Sequence, residues 1–210
     1  MTPFTQHIGV TAPLLRDNID TDTIIPSREM RTVSRTGLSA GLFAPWRYSD
    51  ADARTPDPAF VLNSAVFKNA SILLAGKNFG CGSSREHAVW ALLESGFRVV
   101  IAPSFATIFR NNALRNGLLT VSLDEHLIQG IQEWVQVNPQ RHRIAVDLAQ
   151  CVLIGAPELE SIPFVIDPFS RRMLLEGLDE IGLTEQSLVG IASFEASDRK
   201  RRPWAYLDDT

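Results

Sequence analysis

The sequence is poor in cysteine. It contains two cysteines among 210 residues, Cys81 and Cys151, and they do not form a Cys-x-x-Cys pair. A disulfide framework is therefore not expected, and this chain alone cannot supply a thiolate cage for a metal. Apolar runs are short as well, since none approaches the roughly 20 residues that span a bilayer. The first residues also lack the basic-then-apolar layout of a secretion signal, so we expect a cytoplasmic protein.

An excess of basic charge is also missing. The chain has 20 Lys and Arg residues against 24 Asp and Glu residues, a formal net charge of −4 and a pI near 5.6. This balance argues against a nucleic-acid-binding protein. No internal repeat or low-complexity linker divides the chain, and 45% of its residues are hydrophobic, enough for one core. We predict a single domain over residues 1–196 and a charged, flexible tail at 197–210.

Strand-like apolar runs and helical periods alternate through the middle of the chain. The predicted strands lie at 8–15, 71–76, 97–102 and 118–123. The predicted helices lie at 88–96, 104–116, from Asp124 onward, 170–178 and 184–197. This succession indicates an α/β fold with a mostly parallel central sheet.

Two further regions are assigned separately. Short strands at 143–148, 151–154 and 162–166, with Pro and Gly turns between them, predict a second small sheet. Residues 41–60 are rich in turn-forming residues and show no sustained period, so they are predicted to be a surface excursion.

The most informative stretch is Asn78–His87, which lies between the predicted strand at 71–76 and the helix at 88–96. Gly80 and Gly82 permit backbone angles that a side chain would forbid, and they leave room for a ligand. Ser83 or Ser84 is a natural N-cap for the helix. The free amides of a first helical turn favour an anion, and Arg85 lies beside them. The stretch is therefore predicted to be an active-site loop.

Other interpretations of this loop are weaker. The dinucleotide-binding pattern fails because Arg85 stands where the third glycine should follow Gly80 and Gly82, and no Gly-Lys-Ser/Thr sequence is present. A Cys81–His87 nucleophilic pair is an alternative, since a helix N-terminus would lower the pKa of the thiol. For His87, a hydrogen bond to the backbone at the helix start is favoured over a catalytic role.

Two charged segments precede the loop. Asp20–Pro26 is either an acidic, solvated turn or part of a site, and Asp22 is its candidate residue. Ser27–Thr36 carries Arg28, Arg31 and Arg35, which are either solvated or clamp a dianion by bidentate contacts.

With these residues in view, Asn78–His87 resembles the signature of the 3-isopropylmalate dehydratase small-subunit family, which corresponds to the swivelling domain of aconitase. The likeness covers roughly residues 5–195 and leaves the charged tail outside. Further segments similar to that family are 20–26, 33–37, 99–106, 166–169 and 177–184.

The resemblance implies an aconitase-type swivelling β/β/α domain and a hydro-lyase made of two chains. A large subunit would bind a [4Fe-4S] cluster through its own cysteines, and this chain would close over it as a lid. The implied reaction converts 2-isopropylmalate, a dicarboxylate, into 3-isopropylmalate for leucine synthesis. No residue of this chain is implied to bind the cluster, another cofactor or a metal.

The resemblance also implies individual roles. Ser83 would be the catalytic base, acting as an alkoxide. Arg85 and Ser84 would hold one substrate carboxylate, and Arg35 would bind another from the opposite loop. Asp22 would orient its neighbours or take part in proton handling, with a plain turn residue as the alternative. Arg28 and Arg31 lie in the loop that sorts substrates within the family, and neither is assigned a role.

Three rival functions stay open at this point. The first keeps the fold and changes the substrate to homoaconitate, citramalate or another malate-type acid. The second is a stand-alone module that binds an anion or a nucleotide at the turn between Gly80 and Ser84. The third is a scaffold subunit without chemistry of its own.

Overall fold

The computed structural model describes residues 1–30, 34–50, 52–155 and 161–206. The strands are β1 (Gln6–Leu14), β2 (Tyr48–Asp50), β3 (Thr55–Pro56), β4 (Ala70–Ala75), β5 (Val99–Ala102), β6 (Leu119–Ser122), β7 (Ile144–Asp147), β8 (Val152–Ile154) and β9 (Ile162–Pro163). The α-helices are α1 (Thr21–Ile24), α2 (Ala44–Arg47), α3 (His87–Glu94), α4 (Thr107–Arg115), α5 (Glu125–Val137), α6 (Pro168–Glu176), α7 (Glu180–Glu185) and α8 (Leu188–Arg201). In the described part of the chain, no helix combines the length and apolar character that a membrane crossing needs.

The main sheet has seven strands in the order β6-β5-β4-β1-β7-β8-β9, and β2 and β3 form a separate two-stranded sheet. Strands β1, β4, β5 and β6 pair in parallel, whereas β7, β8 and β9 add to the edge of β1 in antiparallel pairs. The predicted α/β class, with a central sheet and a second small sheet, is confirmed. The membership of the small sheet was predicted wrongly, because the strands assigned to it extend the main sheet through pairing of β7 with β1.

The parallel strands are apolar on both faces, as strands covered by helices should be. Leu73 points into one core together with the buried side of α3. Its neighbours Ile72 and Leu74 point into a second core, which includes Ile128 and Ile131 of α5. Burying a side chain of this size stabilises the fold by about 1.5–3 kcal/mol. The sheet therefore lies between α3 and α5 and holds the start of α3 in place.

Residues 41–60 are not simply a surface excursion. Leu42, Phe43 and Phe60 are buried in the core beside α3. The backbone N–H of Phe43 donates to the carbonyl of Ile24 (2.7 Å), which ties this segment to α1. The turn-forming residues of the segment indicated loops correctly, but they gave no sign that its aromatic side chains point inward.

The start of α4 also differs from the predicted helix at 104–116. The helix begins at Thr107 with Ala106 in the N-cap position. Ser104 instead accepts a hydrogen bond at Oγ from the N–H of Asn78 (2.9 Å), and its carbonyl accepts one from the N–H of Phe79 (3.1 Å). Ser104 therefore joins the end of β5 to the glycine-rich loop.

The end of the chain differs from the predicted single helix at 184–197. Two helices, α7 and α8, take its place, and α8 continues to Arg201. The carboxylate of Asp198, which is 4% exposed, accepts two hydrogen bonds from Arg202 (2.8 and 2.7 Å) and one from the Tyr206 hydroxyl (2.9 Å). The first residues of the expected tail are thus helical. The division into a domain at 1–196 and a tail at 197–210 stays a prediction.

Candidate active site

The glycine-rich loop connects β4 to α3, and Gly80 and Gly82 within it need to be glycine. Gly80 has φ +77°, and a Cβ there would lie 2.2 Å from the ring of Phe109 on α4. Gly82 has φ +98°, and a Cβ there would lie 3.3 Å from Thr21 Oγ1. The loop therefore packs its backbone directly against α4 and α1, as the glycines predicted.

Helix α1 lies beside this loop, so two segments far apart in sequence meet. Asp20 and Cys81 form a parallel β-bridge, and the N–H of Thr21 donates to the carbonyl of Cys81 (2.8 Å). Asp20 also caps α1, because its Oδ1 accepts a hydrogen bond from the N–H of Thr23 (2.6 Å). The segment expected to be an acidic turn is thus a capped helical turn that faces the loop.

The hydroxyl groups of Ser83 and Thr21 form a hydrogen bond. The two side-chain oxygens, Ser83 Oγ and Thr21 Oγ1, are 3.0 Å apart, and either can donate. Thr21 Oγ1 also accepts a hydrogen bond from the N–H of Ser83 (3.0 Å), and Thr21 is 2% exposed. Because Thr21 accepts this hydrogen bond through its oxygen, its hydroxyl can still donate to Ser83 Oγ. Sequence reasoning did not single out Thr21, because only the fold brings it to Ser83.

Arg85 and Asp22 form an ion pair at the same place. Arg85 Nη1 lies 2.7 Å from Asp22 Oδ1. The side chains are 36% and 58% exposed, so water screens the pair and it stabilises the fold by about 0–1 kcal/mol. An incoming carboxylate can therefore replace Asp22 on the guanidinium at little cost. The structure brings the predicted site residues Ser83, Arg85 and Asp22 together.

The predicted N-cap role of Ser83 or Ser84 is wrong. Helix α3 begins at His87, with Glu86 in the N-cap position and without a side-chain capping bond. Because the field of a helix dipole falls off within its first turn, α3 contributes less to Ser83 than the sequence suggested. The nearby positive charge comes instead from Arg85.

Asn112 of α4 and Asn116, which caps the end of that helix, hold the loop in place. Asn112 Nδ2 donates to the carbonyl of Ser84 (3.1 Å). Asn116 Nδ2 donates to Glu86 Oε1 (3.2 Å), and Asn116 Oδ1 accepts a hydrogen bond from Trp90 Nε1 (2.9 Å). Sequence reasoning placed both asparagines in a helix and did not recognise these contacts. Ser84 is exposed and directly precedes Arg85 in the loop.

Arg35 lies elsewhere. Its guanidinium carbon is 5.1 Å from the centre of the Trp90 ring, and it lines a cavity of about 480 Å³ with Arg98 and Arg115. The residues that line this cavity do not include Ser83 or Arg85. Of the other arginines in this loop, Arg28 is 3.7 Å from Glu29, and Arg31 lies outside the described residues, as does Val33 of the predicted motif.

Cys81 and His87 do not form a nucleophilic pair. Burial and then the carboxylate of Asp20 raise the pKa of the Cys81 thiol, the opposite of what a thiolate nucleophile needs. The ring of His87 packs on Trp90 at 4.8 Å between centroids. Across the described residues, no three His, Cys, Asp or Glu side chains converge as metal ligands.

Comparisons with known proteins identify the relatives of this chain. A family model described as the aconitase C-terminal domain matches residues 1–126. The 3-isopropylmalate dehydratase small subunit of Cupriavidus necator is 53% identical over 208 residues, covering 99% of this chain and 100% of that protein. The small subunit of the same name from Rhodospirillum centenum is 50% identical over 205 residues, covering 98% of this chain and 99% of that protein.

A solved structure is also similar. The crystal structure of a 3-isopropylmalate dehydratase from Methanocaldococcus jannaschii matches with a TM-score of 0.65 and 27% identity, covering 90% of this chain and 99% of that one. Similarity over the full length at 50–53% identity shows which family the chain belongs to. The chain belongs to the aconitase C-terminal domain family and, within it, to the 3-isopropylmalate dehydratase small subunits.

Proposed function

We propose that this chain supplies the base and the carboxylate-binding side chains to a hydro-lyase that interconverts 2-isopropylmalate and 3-isopropylmalate in leucine biosynthesis. The main support for the proposal is that α1 contacts the glycine-rich loop. This contact brings together Ser83, Thr21, Arg85 and Asp22. The reaction requires a base for a proton on the carbon beside a carboxylate, and cationic donors for the charge that develops on that carboxylate. This cluster offers both.

Ser83 is the proposed base. A serine hydroxyl is a very weak acid in water, so its alkoxide must be stabilised by hydrogen bonds and positive charge. Thr21 can donate a hydrogen bond to Ser83 Oγ, because its hydroxyl keeps its proton while its oxygen accepts a hydrogen bond from the N–H of Ser83. Arg85, two residues further on, provides the positive charge, and closure of a partner over the site would strengthen both effects by excluding water.

Arg85 and Ser84 are the proposed ligands of one substrate carboxylate. The substrate would displace Asp22 from the guanidinium, which leaves the Asp22 carboxylate beside the reacting groups to orient them or to accept a proton. Arg35 is the proposed ligand of a second carboxylate. It would have to leave the face of Trp90 to reach that position, so we infer that the Arg35 side chain moves when substrate or partner binds.

A large subunit is the proposed partner, and it would hold the [4Fe-4S] cluster. Such clusters are held mainly by cysteine thiolates, and this chain has two cysteines, so its own residues do not fit the cluster. When bound to the partner, the cluster would supply a Lewis acid for the substrate hydroxyl. We also propose that the complex is a heterodimer or a higher assembly and that it lies in the cytoplasm.

A reconstitution assay tests the proposed function. The chain and its cluster-loaded large subunit are mixed without oxygen, and formation of the alkene intermediate from 2-isopropylmalate is followed by its absorbance. We expect turnover with both chains together and none with either alone. Homoaconitate and citramalate serve as comparison substrates in the same complex.

Two of the alternatives predict different results. Faster turnover of homoaconitate or citramalate would overturn the choice of substrate and keep the hydro-lyase. Failure of the two chains to associate, together with tight anion binding by this chain alone, would instead favour the stand-alone binding module.

A further inference from the structure

The carboxylate of Glu94 holds the end of the loop that carries Arg35. Glu94 is the last residue of α3, and its two oxygens accept three backbone hydrogen bonds. Oε1 accepts from the N–H of Gly37 (2.6 Å), and Oε2 accepts from those of Leu38 (2.5 Å) and Ser39 (2.7 Å). Three successive amides directed at one carboxylate make a specific anchor, because charge-assisted hydrogen bonds of this kind are about twice as strong as neutral ones.

The local backbone explains why a carboxylate fits here. Residues Ser39–Gly41 form a short 3₁₀ turn, whose first amides have no partner inside the turn. Gly37 has φ +86°, a conformation that favours glycine and turns its N–H toward Glu94. Burial raises the pKa of Glu94, but the hydrogen bonds from Gly37, Ser39 and Leu38 bring it below its ordinary value. The anchor therefore contains an ionised glutamate at neutral pH.

This anchor lies close to Arg35 in both sequence and space. Arg35 is two residues before Gly37, so an extended chain allows its Cα to lie no more than about 7 Å from that of the anchored glycine. Its guanidinium rests over Trp90, which is one helical turn before Glu94 on α3. The opposite end of α3 follows the loop that carries Ser83 and Arg85. Helix α3 thus joins the two halves of the proposed site.

We propose that Glu94 is a positioning residue for Arg35. It fixes residues 37–39 on α3. This anchor keeps Arg35 close enough to α3 for its side chain to move from Trp90 to the substrate. This inference rests on the proposed function, in which Arg35 binds a substrate carboxylate. Glu94 itself need not touch the substrate. Loss of the anchor would leave Arg35 attached to a looser segment and would weaken substrate binding more than turnover.

The test uses the reconstituted two-chain enzyme with the isosteric change Glu94→Gln. A carboxamide presents an N–H₂ group where an oxygen accepted hydrogen bonds, so the anchor loses at least one contact. Since misplacement of a binding group by about 1 Å can cost up to about 100-fold, we expect KM to rise about tenfold and kcat to stay within about threefold. Glu133→Gln, an exposed glutamate on α5, is the matched control and should change neither constant.

Two further measurements separate positioning from a merely structural role. Amide hydrogen exchange at 37–39 should accelerate in Glu94→Gln and not in Glu133→Gln. In a double-mutant cycle with Arg35→Lys, the second change should add little to the rise in KM caused by the first, because both act through the same contact with substrate.

The outcomes are distinguishable. An unchanged KM in Glu94→Gln, with Arg35→Lys impaired, would overturn this inference and leave the proposed function intact. Fully multiplicative effects of the two changes would also overturn it, since Glu94 would then act independently of Arg35. Normal kinetics of Arg35→Lys would instead remove Arg35 from the proposed function, and this inference with it.

Discussion

Replacing Thr21 with valine removes one hydroxyl and keeps the shape of the side chain. In the folded chain Thr21 is 2% exposed, so valine fills the same volume. The lost oxygen is the one that lies 3.0 Å from Ser83 Oγ and accepts the N–H of Ser83 at 3.0 Å. The substitution therefore removes a hydrogen-bond donor from the proposed base without changing either of the carboxylate-binding arginines.

The expected magnitude follows from the charge on Ser83 during the reaction. A hydrogen bond to a charged group is worth about 1.5–3 kcal/mol, and about 1.36 kcal/mol corresponds to a factor of ten in rate. We therefore expect kcat to fall between about 10- and 150-fold in Thr21→Val, with KM within about twofold. The free energy of unfolding should fall by about 0.5–1.5 kcal/mol, because Ser83 is half-buried and its N–H can reach water.

The assay is steady-state turnover by the reconstituted complex, with complex formation measured separately. Thr120→Val is the matched control: Thr120 is a buried threonine on β6 whose Oγ1 has no hydrogen-bond partner in the described part of the chain. That control should keep full activity and lose no stability. If Thr21→Val keeps kcat within twofold of the unchanged complex, Thr21 does not stabilise the base, and the reasoning is wrong.

Two other substitutions test the loop and its ion pair. Gly80→Ala places a Cβ 2.2 Å from Phe109 at a residue with φ +77°, so it should lower the free energy of unfolding by about 2–5 kcal/mol in urea titrations. Gly130→Ala in α5, where a Cβ meets nothing within 4 Å, is its control and should be neutral or stabilising; equal stability of the two variants would contradict the packing argument. Asp22→Asn keeps the size of the side chain but removes the charge beside Arg85, so kcat should fall at least about tenfold if Asp22 handles a proton, while KM does not rise. If the kinetics of Asp22→Asn are unchanged, Asp22 takes no part in the reaction and has only a structural role in α1.

The residues of the site that sequence reasoning found are those in local patterns. Ser83 and Arg85 follow a pair of glycines between a strand and a helix, and Asp22 lies in an acidic turn before buried isoleucines. Thr21 was missed because its contact with Ser83 spans 62 residues and has no local signature. Asn112 was missed for a similar reason, since a polar residue in a helix is ordinarily exposed to water.

The errors in the fold have the same origin. Serine at 83 favours an N-cap locally, but its hydroxyl pairs with Thr21 instead, and Glu86 takes the N-cap position of α3. The short strands after 143 have the apolar pattern of a separate sheet, and only the antiparallel pairing of β7 with β1 shows that they extend the main one. Local pattern predicts the type of an element well, whereas the partner of an edge strand depends on contacts distant in sequence.

The central claim is that this chain supplies the base through Ser83. Its most direct test is Ser83→Ala in the anaerobic two-chain complex, with Ser197→Ala on the exposed face of α8 as the control. General-base catalysis contributes about 100- to 10,000-fold, so kcat for 2-isopropylmalate should fall at least about 100-fold while the variant still binds the large subunit. Ser197→Ala should keep full activity. A Ser83→Ala complex that assembles normally and turns over at the rate of the unchanged enzyme would contradict the account.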